Sequence, residues 1–281
     1  MSKANNDNIN KLHLRLERPE DYDAVEEVAR EAFWDGSWEA EPRITEIPLL
    51  ISRLRDCSSY VPELHYLAEL DGKLVGQIIY TTSKVVDDNG TEHEMLTFGP
   101  LSVLPECQSQ GVGKALMQHT FTKAKKLGYR AVLIFGYPDY YPRAGFRRAA
   151  EFGITTSDGK NFDPFMAYPL YDGALDGIKG KYYIDPAYDD LKYDDVVEHD
   201  KKFPPKELYI PIPISVLLDR LSPDAQKALE ELKGKALKIM TTRSENEISE
   251  MEGIDSQAIE VIRTVVKEHG LYWGESRALT E

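Results

Sequence analysis

The sequence predicts an α/β domain with a mixed central sheet and flanking helices, followed by a small all-α domain. Strand-like runs alternate with amphipathic helical runs over residues 1–185, and they are joined both by a tight hairpin and by a strand–helix–strand unit. A charged connector rich in Asp and Tyr is predicted over residues 186–212. Residues 213–281 carry mainly helical patterns, which predict the second, helical domain.

Composition and charge disfavour several classes of protein. The chain has 281 residues and a formal net charge of −14, which disfavours non-specific binding to nucleic acid or to an anionic membrane. Its two cysteines form no CxxC motif, so neither a zinc site nor a disulfide framework is indicated. The first residues are polar, and no apolar run approaches the roughly 20 residues that span a bilayer. We therefore expect a soluble, cytoplasmic protein.

The first predicted elements are a strand, a helix and a hairpin. Leucines alternate with polar residues over Leu12–Leu16, which is the period of a strand. Pro19 then opens a helix with acidic residues in its first turn, where the helix dipole favours them. Asp71-Gly72 separates two β-rich runs, "HYLAEL" and "KLVGQIIYTTSKV", and this dipeptide predicts a two-residue turn.

A strand–helix–strand unit is predicted next. The run "EMLTFGPLSVLP" is interrupted by Gly99-Pro100, and because Pro100 has no N–H group for a neighbouring strand, we expect a bulge or a splay there. A helix follows with apolar positions Leu116, Met117, Thr120, Phe121, Ala124 and Leu127. "YRAVLIFGY" predicts a buried strand parallel to the strand before the helix. Residues 147–171 predict a final hairpin around Ser157-Asp158-Gly159.

The second domain has clear helix signals. Ser222 is placed to cap a helix with Pro223 at its first position. "SENEISEMEG" and "DSQAIEVIRTVVKEHG" predict two further helices, hinged at Gly253 and ending at Gly270.

Gly111 and Gly113, the two glycines in front of the amphipathic run that contains Leu116, predict a phosphate loop, and two common kinds of loop do not fit. A Walker A loop requires a first glycine where Gln108 stands and a hydroxyl where Ala115 stands. A dinucleotide-binding loop requires a small third residue where Leu116 stands. A loop that only turns the chain is the structural alternative.

The remaining pattern, Gln-x-x-Gly-x-Gly over Gln108, Gly111 and Gly113, resembles the loop of the GNAT superfamily of N-acetyltransferases. "FGPLSVLPECQSQGVGKALMQ" and "GYPDYYPRAGF" resemble the segments of that family around the loop and after the next strand, and the resemblance covers about residues 12–185. It implies the GNAT fold and acetyl-CoA as cosubstrate, with no metal. Backbone amides at a helix N-terminus suit a pyrophosphate. The sequence departs from the family at Ser109, where relatives often have glycine.

The resemblance implies that two backbone segments bind the coenzyme. The splayed strand would pair with the pantetheine arm, for which ordinary sheet pairing is the alternative, and the loop would hold the pyrophosphate. The implied residues are Leu101, Ser102, Val103, Gln108, Ser109, Gln110, Gly111, Val112, Gly113, Lys114 and Ala115.

The resemblance also implies a catalytic tyrosine. Tyr141 stands where the family often places the tyrosine that protonates the departing thiolate, and Tyr140 is the second choice. The alternative is that both tyrosines pack on the sheet or line the coenzyme groove. The backbone amide of Val103 would hold the oxyanion. Cys107 is expected to be a small apolar filler and not a nucleophile.

The residues on the acceptor side are less determined. Glu63, Glu69, Glu94 and His65 are candidate general bases among which the sequence does not decide. Trp34, Trp38 and Glu39 either wall the acceptor site or, for Trp34, belong to the core.

The last helical hairpin resembles the C-terminal domain of the bacterial RNA polymerase alpha subunit, over about residues 215–275. That resemblance implies a DNA contact near the turn, but Glu250, Glu252 and Asp255 would repel phosphate, so DNA binding is disfavoured. A protein partner, self-association, a lid over the acetyl donor, and a purely stabilising appendage are left open.

Taken together, these patterns predict an acyltransferase that transfers groups other than aminoacyl groups. It would move an acetyl group from acetyl-CoA to a small-molecule or peptide amine by direct attack. The alternative is a non-catalytic acyl-CoA-binding regulator that signals through its helical domain.

Overall fold

The computed structural model describes residues 11–34, 43–138, 140–243 and 245–271. Within them the first domain begins with strand β1 (Leu12–Leu16), helices α1 (Tyr22–Ala32) and α2 (Ile47–Asp56), and the hairpin β2 (Tyr66–Leu70) and β3 (Lys73–Val86). The next elements are β4 (Glu92–Val103), α3 (Val112–Lys126) and β5 (Ala131–Phe135). The last strands of the domain are β6 (Arg147–Arg148), β7 (Ile154–Thr156), β8 (Phe165–Pro169) and β9 (Gly180–Tyr183). The predicted elements from Leu12 to Phe135 are therefore present in the predicted order, and α2 is an additional helix that the sequence analysis does not predict.

The strands form one mixed sheet in the order β1-β2-β3-β4-β5-β8-β6, with β9 added to β3 and β7 added to β9. Neighbours from β1 to β4 are antiparallel, whereas β4 and β5 are parallel, as the strand–helix–strand unit predicts. Asp71 and Gly72 both have positive φ, at 50° and 77°, which is the backbone of the predicted hairpin turn.

The predicted hairpin around Ser157-Asp158-Gly159 is wrong. A local turn is present, because the Thr156 N–H donates to the Lys160 carbonyl at 3.0 Å. However, β7 pairs in parallel with β9, while β8 pairs with β5 and β6. The turn forms as Ser157-Asp158-Gly159 predicts, but the strands that flank it pair with segments far away in the chain.

Helices cover both faces of the sheet. On one face, Leu116, Met117, Phe121 and Ala124 of α3 pack into the main core, whereas the predicted core residue Leu127 is 52% exposed. On the opposite face, α1 and α2 pack on β2 and β3 through a separate apolar cluster: Val25, Ala29, Leu50, Ile51, Leu54, Leu67 and Ile79. The sheet therefore has a separate apolar cluster on each face.

The segment predicted as a connector contains a helix, α4 (Tyr193–Asp200), that docks on the first domain. Arg30 of α1 is buried and makes a bidentate ion pair with Asp200, at 2.6 and 2.9 Å. His199 and Lys202 both contact the buried carboxylate of Glu26. Apolar and ionic contacts with α1 and α2 therefore hold this segment, and it is more than a linker.

The C-terminal helices have an apolar core of their own. They are α5 (Ser215–Leu218), α6 (Pro223–Ala228), α7 (Glu245–Ser249) and α8 (Ser256–Glu268). Ser222 accepts a hydrogen bond from the Ala225 N–H, as expected of a cap, and Asp255 caps α8 in the same way. Gly253 has φ +95°, in agreement with the predicted hinge. Across the part of the chain that the structure describes, no helix combines the length and apolarity needed to cross a membrane.

Candidate functional site

The strands β4 and β5 separate at the position where the sequence predicts a splay. Their parallel pairing registers Leu96 with Val132, whereas the last residues of β4 register with β3: Leu101 with Ile78, Ser102 with Gln77 and Val103 with Gly76. Within the described residues, the β5-side edge of β4 therefore carries no strand beyond this point. Its backbone groups are available to a ligand in extended conformation.

A buried glutamine fixes the splayed part of β4. The Gln77 side-chain amide donates to the Pro100 carbonyl at 3.1 Å and to the Ser102 hydroxyl at 2.9 Å. The Ser102 side chain therefore belongs to this hydrogen-bonded group, on the face of α1 and α2, while Leu101 and Val103 pack toward α3. Gln77 is not among the site residues predicted from the sequence, although a polar residue inside the apolar run "VGQIIY" is a detectable signal.

The glycine loop precedes α3 with two left-handed residues in close succession. Ser109 has φ +61° and Gly111 has φ +88°, a backbone that turns successive N–H groups toward one point. Gly111 caps the helix and has no side chain that could occupy its N–H groups. The first bond of the helix runs from the Ala115 N–H to the Gly111 carbonyl, so the amide groups before Ala115 have no acceptor within α3.

The loop is tied to the splayed strand. The Gln108 side chain donates to the Val103 carbonyl at 3.0 Å, and the Gln110 side chain donates to the Glu106 carbonyl at 2.6 Å. A Cβ at Gly113 would lie 3.5 Å from Leu101 Cδ2 and 3.3 Å from the Tyr140 hydroxyl. The splayed strand and the glycine loop, which carry the implied coenzyme residues from Leu101 to Ala115, are thus neighbours, and the side chains of both glutamines hold the loop in place.

The two candidate tyrosines lie in different places. Tyr140 is 43% exposed, and its hydroxyl lies 3.3 Å from the position of a Cβ at Gly113, beside the glycine loop. The Tyr141 ring is inserted between Phe98 on β4 and Phe146, with centroid distances of 5.9 and 5.4 Å. Burial raises the pKa of Tyr141, which keeps its phenol in the protonated, neutral form.

The candidate bases do not converge on the splay. Glu69 makes an ion pair with Arg15 near the β1 edge of the sheet, and Glu63 and Glu94 are exposed. His65 is fully buried and contacts Glu17 at 2.9 Å, and burial lowers its pKa, so that it is held neutral. The positions of these four side chains therefore do not identify the general base.

Trp34 and Cys107, two further residues that the sequence singles out, are both buried in the fold. Trp34 is buried, and its indole N–H donates to the Glu207 carbonyl at 2.8 Å, with Arg30 over its ring. Trp34 is thus covered by the later part of the chain, while Trp38 and Glu39 lie outside the described residues. Cys107 is buried, and burial raises the pKa of its thiol, which agrees with a filler and not with a nucleophile. Within the described ranges, no group of three or more His, Cys, Asp or Glu side chains could hold a metal ion.

Comparisons with known proteins agree with this geometry. Residues 24–146 match the acetyltransferase (GNAT) family model. The uncharacterized N-acetyltransferase YjhQ of Escherichia coli K12 is 36% identical over 103 residues, which are 36% of this chain and 55% of YjhQ. The uncharacterized N-acetyltransferase YhbS of the same strain is 27% identical over 110 residues, 39% of this chain and 64% of YhbS. The matches thus span less than two thirds of the length of these curated relatives.

Two crystal structures share the fold. YhbS from E. coli in complex with CoA covers 65% of this chain and 94% of its own, at 22% identity and a TM-score of 0.55. A GNAT family acetyltransferase from Brucella melitensis in complex with acetyl-CoA covers 63% and 98%, at 24% identity and a TM-score of 0.50. The domain that contains residues 24–146 therefore has the GNAT fold, and this segment matches the sequence pattern of the GNAT acetyltransferases.

Proposed function

We propose that the protein transfers an acetyl group from acetyl-CoA to an amine, carried by a small molecule or a peptide. The observation that carries this proposal is the placement of the glycine loop beside the open edge of β4. The loop offers N–H groups at the start of a helix, which attract a pyrophosphate. The edge offers the backbone pairing that an extended pantetheine arm would use. The CoA complexes of YhbS and of the Brucella protein, which share the fold, support the same ligand.

In this proposal the residues of the glycine loop and of the splayed strand have separate roles. The amides around Ser109 to Lys114 hold the pyrophosphate, and the backbone of Leu101 to Val103 pairs with the pantetheine arm. The amine attacks the thioester carbonyl, a C–N bond forms and the C–S bond breaks. The backbone amide of Val103 stabilises the oxyanion, Tyr141 gives its proton to the departing sulfur, and the amine loses a proton to solvent.

The test is a thiol-release assay with acetyl-CoA across a panel of amines. We expect turnover with at least one amine, and we expect Tyr141→Phe to lose turnover while keeping its affinity for acetyl-CoA. Binding of acetyl-CoA without turnover of any amine would instead support the non-catalytic acyl-CoA-binding regulator.

We further propose that residues 213–281 form a separate helical domain that does not bind DNA. Glu250, Glu252 and Asp255 are all exposed at the turn between α7 and α8, where a phosphate contact would require basic residues. The domain then serves as a packed appendage or contacts a protein. A gel-shift experiment at low salt tests this, and salt-dependent binding to duplex DNA would contradict it.

A further inference from the structure

The segment after β9 reaches the splay from the face of α1 and α2. It lies outside the part of the chain that matches the family model. A short 3₁₀ turn, Pro186–Tyr188, begins at Asp185, whose carboxylate accepts from the Ala187 N–H at 2.8 Å. The Ser59 hydroxyl donates to the same carboxylate at 2.7 Å. Two independent bonds therefore fix where this turn begins.

Apolar contacts fix the rest of the segment. Ala187, Tyr188 and Leu191 pack against the cluster that α2 and β3 form around Ile51 and Ile79. This cluster lies on the face of the sheet opposite α3 and the glycine loop. The position of Tyr188 is thus determined by the fold and requires no ligand.

The Tyr188 hydroxyl lies at the splay itself. It donates to the Gly99 carbonyl at 3.2 Å, and it lies 3.2 Å from the Thr81 hydroxyl. A phenol has one proton, and a carbonyl can only accept, so the Thr81 hydroxyl must be the donor in the second bond. The Tyr188 oxygen is therefore held between one donor and one acceptor, and burial raises its pKa, which keeps the phenol a donor at neutral pH.

In the proposed reaction, the acceptor would meet the coenzyme near Gly99. Gly99 directly precedes the splayed residues, and β4 registers with β5 only before it, at Leu96. On the α3 side of this point the space is filled by Phe98, Tyr141 and Phe146. The opposite side carries Tyr188, so an amine that approaches the thioester from that side passes the Tyr188 ring and hydroxyl.

We propose that Tyr188 is a positioning residue on the acceptor side, which turns the Gly99 carbonyl and bounds the path of the amine. This inference rests on the proposed acetyl transfer and extends the site beyond the family segment. Removing the hydroxyl leaves the Gly99 carbonyl without its donor, and a water molecule that replaces the donor would stand in the path of the amine. The packing of α3 and the bond from Gln108 to the Val103 carbonyl, on the opposite face of the sheet, keep their contacts.

The test compares Tyr188→Phe with Tyr193→Phe in the full chain. Tyr193 lies in the same segment, and its hydroxyl accepts from the Ile44 N–H at 3.3 Å under the stacked Arg43, so it controls for loss of a tyrosine hydroxyl that does not touch β4. The probes are spermidine, tyramine and a lysine-containing peptide, with acetyl-CoA as donor. We expect Tyr188→Phe to raise the amine KM about 3- to 10-fold, the loss of one neutral hydrogen bond. The KM for acetyl-CoA should stay unchanged, and the thermal midpoint should fall by no more than the loss of one hydrogen bond explains. Tyr193→Phe should leave both KM values unchanged.

The outcomes separate this inference from the proposed function. If wild-type protein does not bind acetyl-CoA, the proposed function fails. If it binds and turns over an amine, but Tyr188→Phe leaves the amine KM unchanged or changes the acetyl-CoA KM equally, the role of Tyr188 is overturned. If no probe amine reacts, slow hydrolysis of acetyl-CoA is measured instead. Tyr188→Ala should then raise it by opening this face to water, and an unchanged rate overturns the inference.

Discussion

The Tyr141 ring fills the space that a side chain at Gly136 would need, since its Cδ2 and Cε2 atoms contact the position of a Cβ there. Gly136 directly follows β5, on the opposite side of the splay from β4. The absence of a side chain at Gly136 therefore allows the Tyr141 ring, which carries the proposed acid, to lie at the end of β5. The phenol is placed by packing against glycine and aromatic rings, before any coenzyme binds.

Gly136→Ala should displace the Tyr141 ring. Overpacking of this kind costs about 1–3 kcal/mol, so we expect a lower free energy of unfolding together with a large loss of kcat. Tyr141→Phe is the matched comparison, because it keeps the ring and loses only the proton, and it should lower kcat about 10²- to 10⁴-fold with little change in stability. Urea unfolding and thiol-release kinetics measure both effects. Full activity of Gly136→Ala would show that the ring position is unimportant.

Ser109→Gly should stabilise the protein. Ser109 has φ +61°, a conformation that costs a residue with a Cβ about 1–2 kcal/mol, while glycine adds some entropy to the unfolded chain. We expect a net gain of about 0.5–1 kcal/mol in the free energy of unfolding, with unchanged affinity for CoA. Gly111→Ala, at φ +88°, should shift stability in the opposite direction. Equal signs for the two variants would contradict the account of the loop.

Stability should fall as the pH is lowered from 7 toward 4. Burial lowers the pKa of His65, so below about pH 6.5 the unfolded chain binds a proton that the native state refuses. Glu17 and Glu26 lose solvation on burial, but hydrogen bonds from His65 and Arg55 to Glu17, and from His199 and Lys202 to Glu26, hold both pKa values below the ordinary range. These two carboxylates stabilise the fold at pH values above the pKa that they have in the unfolded chain. This stabilisation is lost as the pH falls through their lower pKa in the folded protein.

Urea unfolding at several pH values measures this dependence. His65→Gln should flatten the decline that begins below about pH 6.5, while the decline that comes from the carboxylates of Glu17 and Glu26 should remain. Identical slopes in the two proteins above pH 5.5 would exclude His65 as the source.

Gly253→Ala should destabilise the helical region more than Gly234→Ala. Both glycines have positive φ, at +95° and +82°, so both substitutions strain the backbone. A Cβ at Gly253 would in addition lie 2.8 Å from the Asp224 carbonyl oxygen, whereas a Cβ at Gly234 meets nothing within 4 Å. The difference between the two thermal midpoints isolates the close contact of the α7–α8 turn with α6. Equal midpoints would contradict that contact.

Elements set by neighbouring residues were predictable from the sequence. The Asp71-Gly72 turn and the buried side of α3 follow from local chemistry and from helical periodicity, and the order from β1 to β5 follows from the same signals. The splay at Gly99 was predictable for the same reason, because the lack of an N–H group at Pro100 is a property of one residue.

What depended on distant partners was not predictable. Glu26 and Arg55 look like solvated charges on helix faces, yet both are buried because they contact each other and residues far along the chain. The pairing of β7 with β9 and the contact of Tyr188 with Gly99 arise in the same way. No periodic pattern in the sequence encodes which distant segment will cover a charge or complete a sheet edge.

The central claim is that main-chain N–H groups at the start of α3 hold a diphosphate without a metal ion. Calorimetric titration of the full chain with CoA, in buffer containing EDTA, tests it most directly. The account predicts saturable one-site binding that EDTA does not weaken and that dephospho-CoA largely retains, whereas pantetheine, which has no phosphate, binds far more weakly. Absence of binding heat with CoA, or equal affinity for CoA and pantetheine, would contradict it.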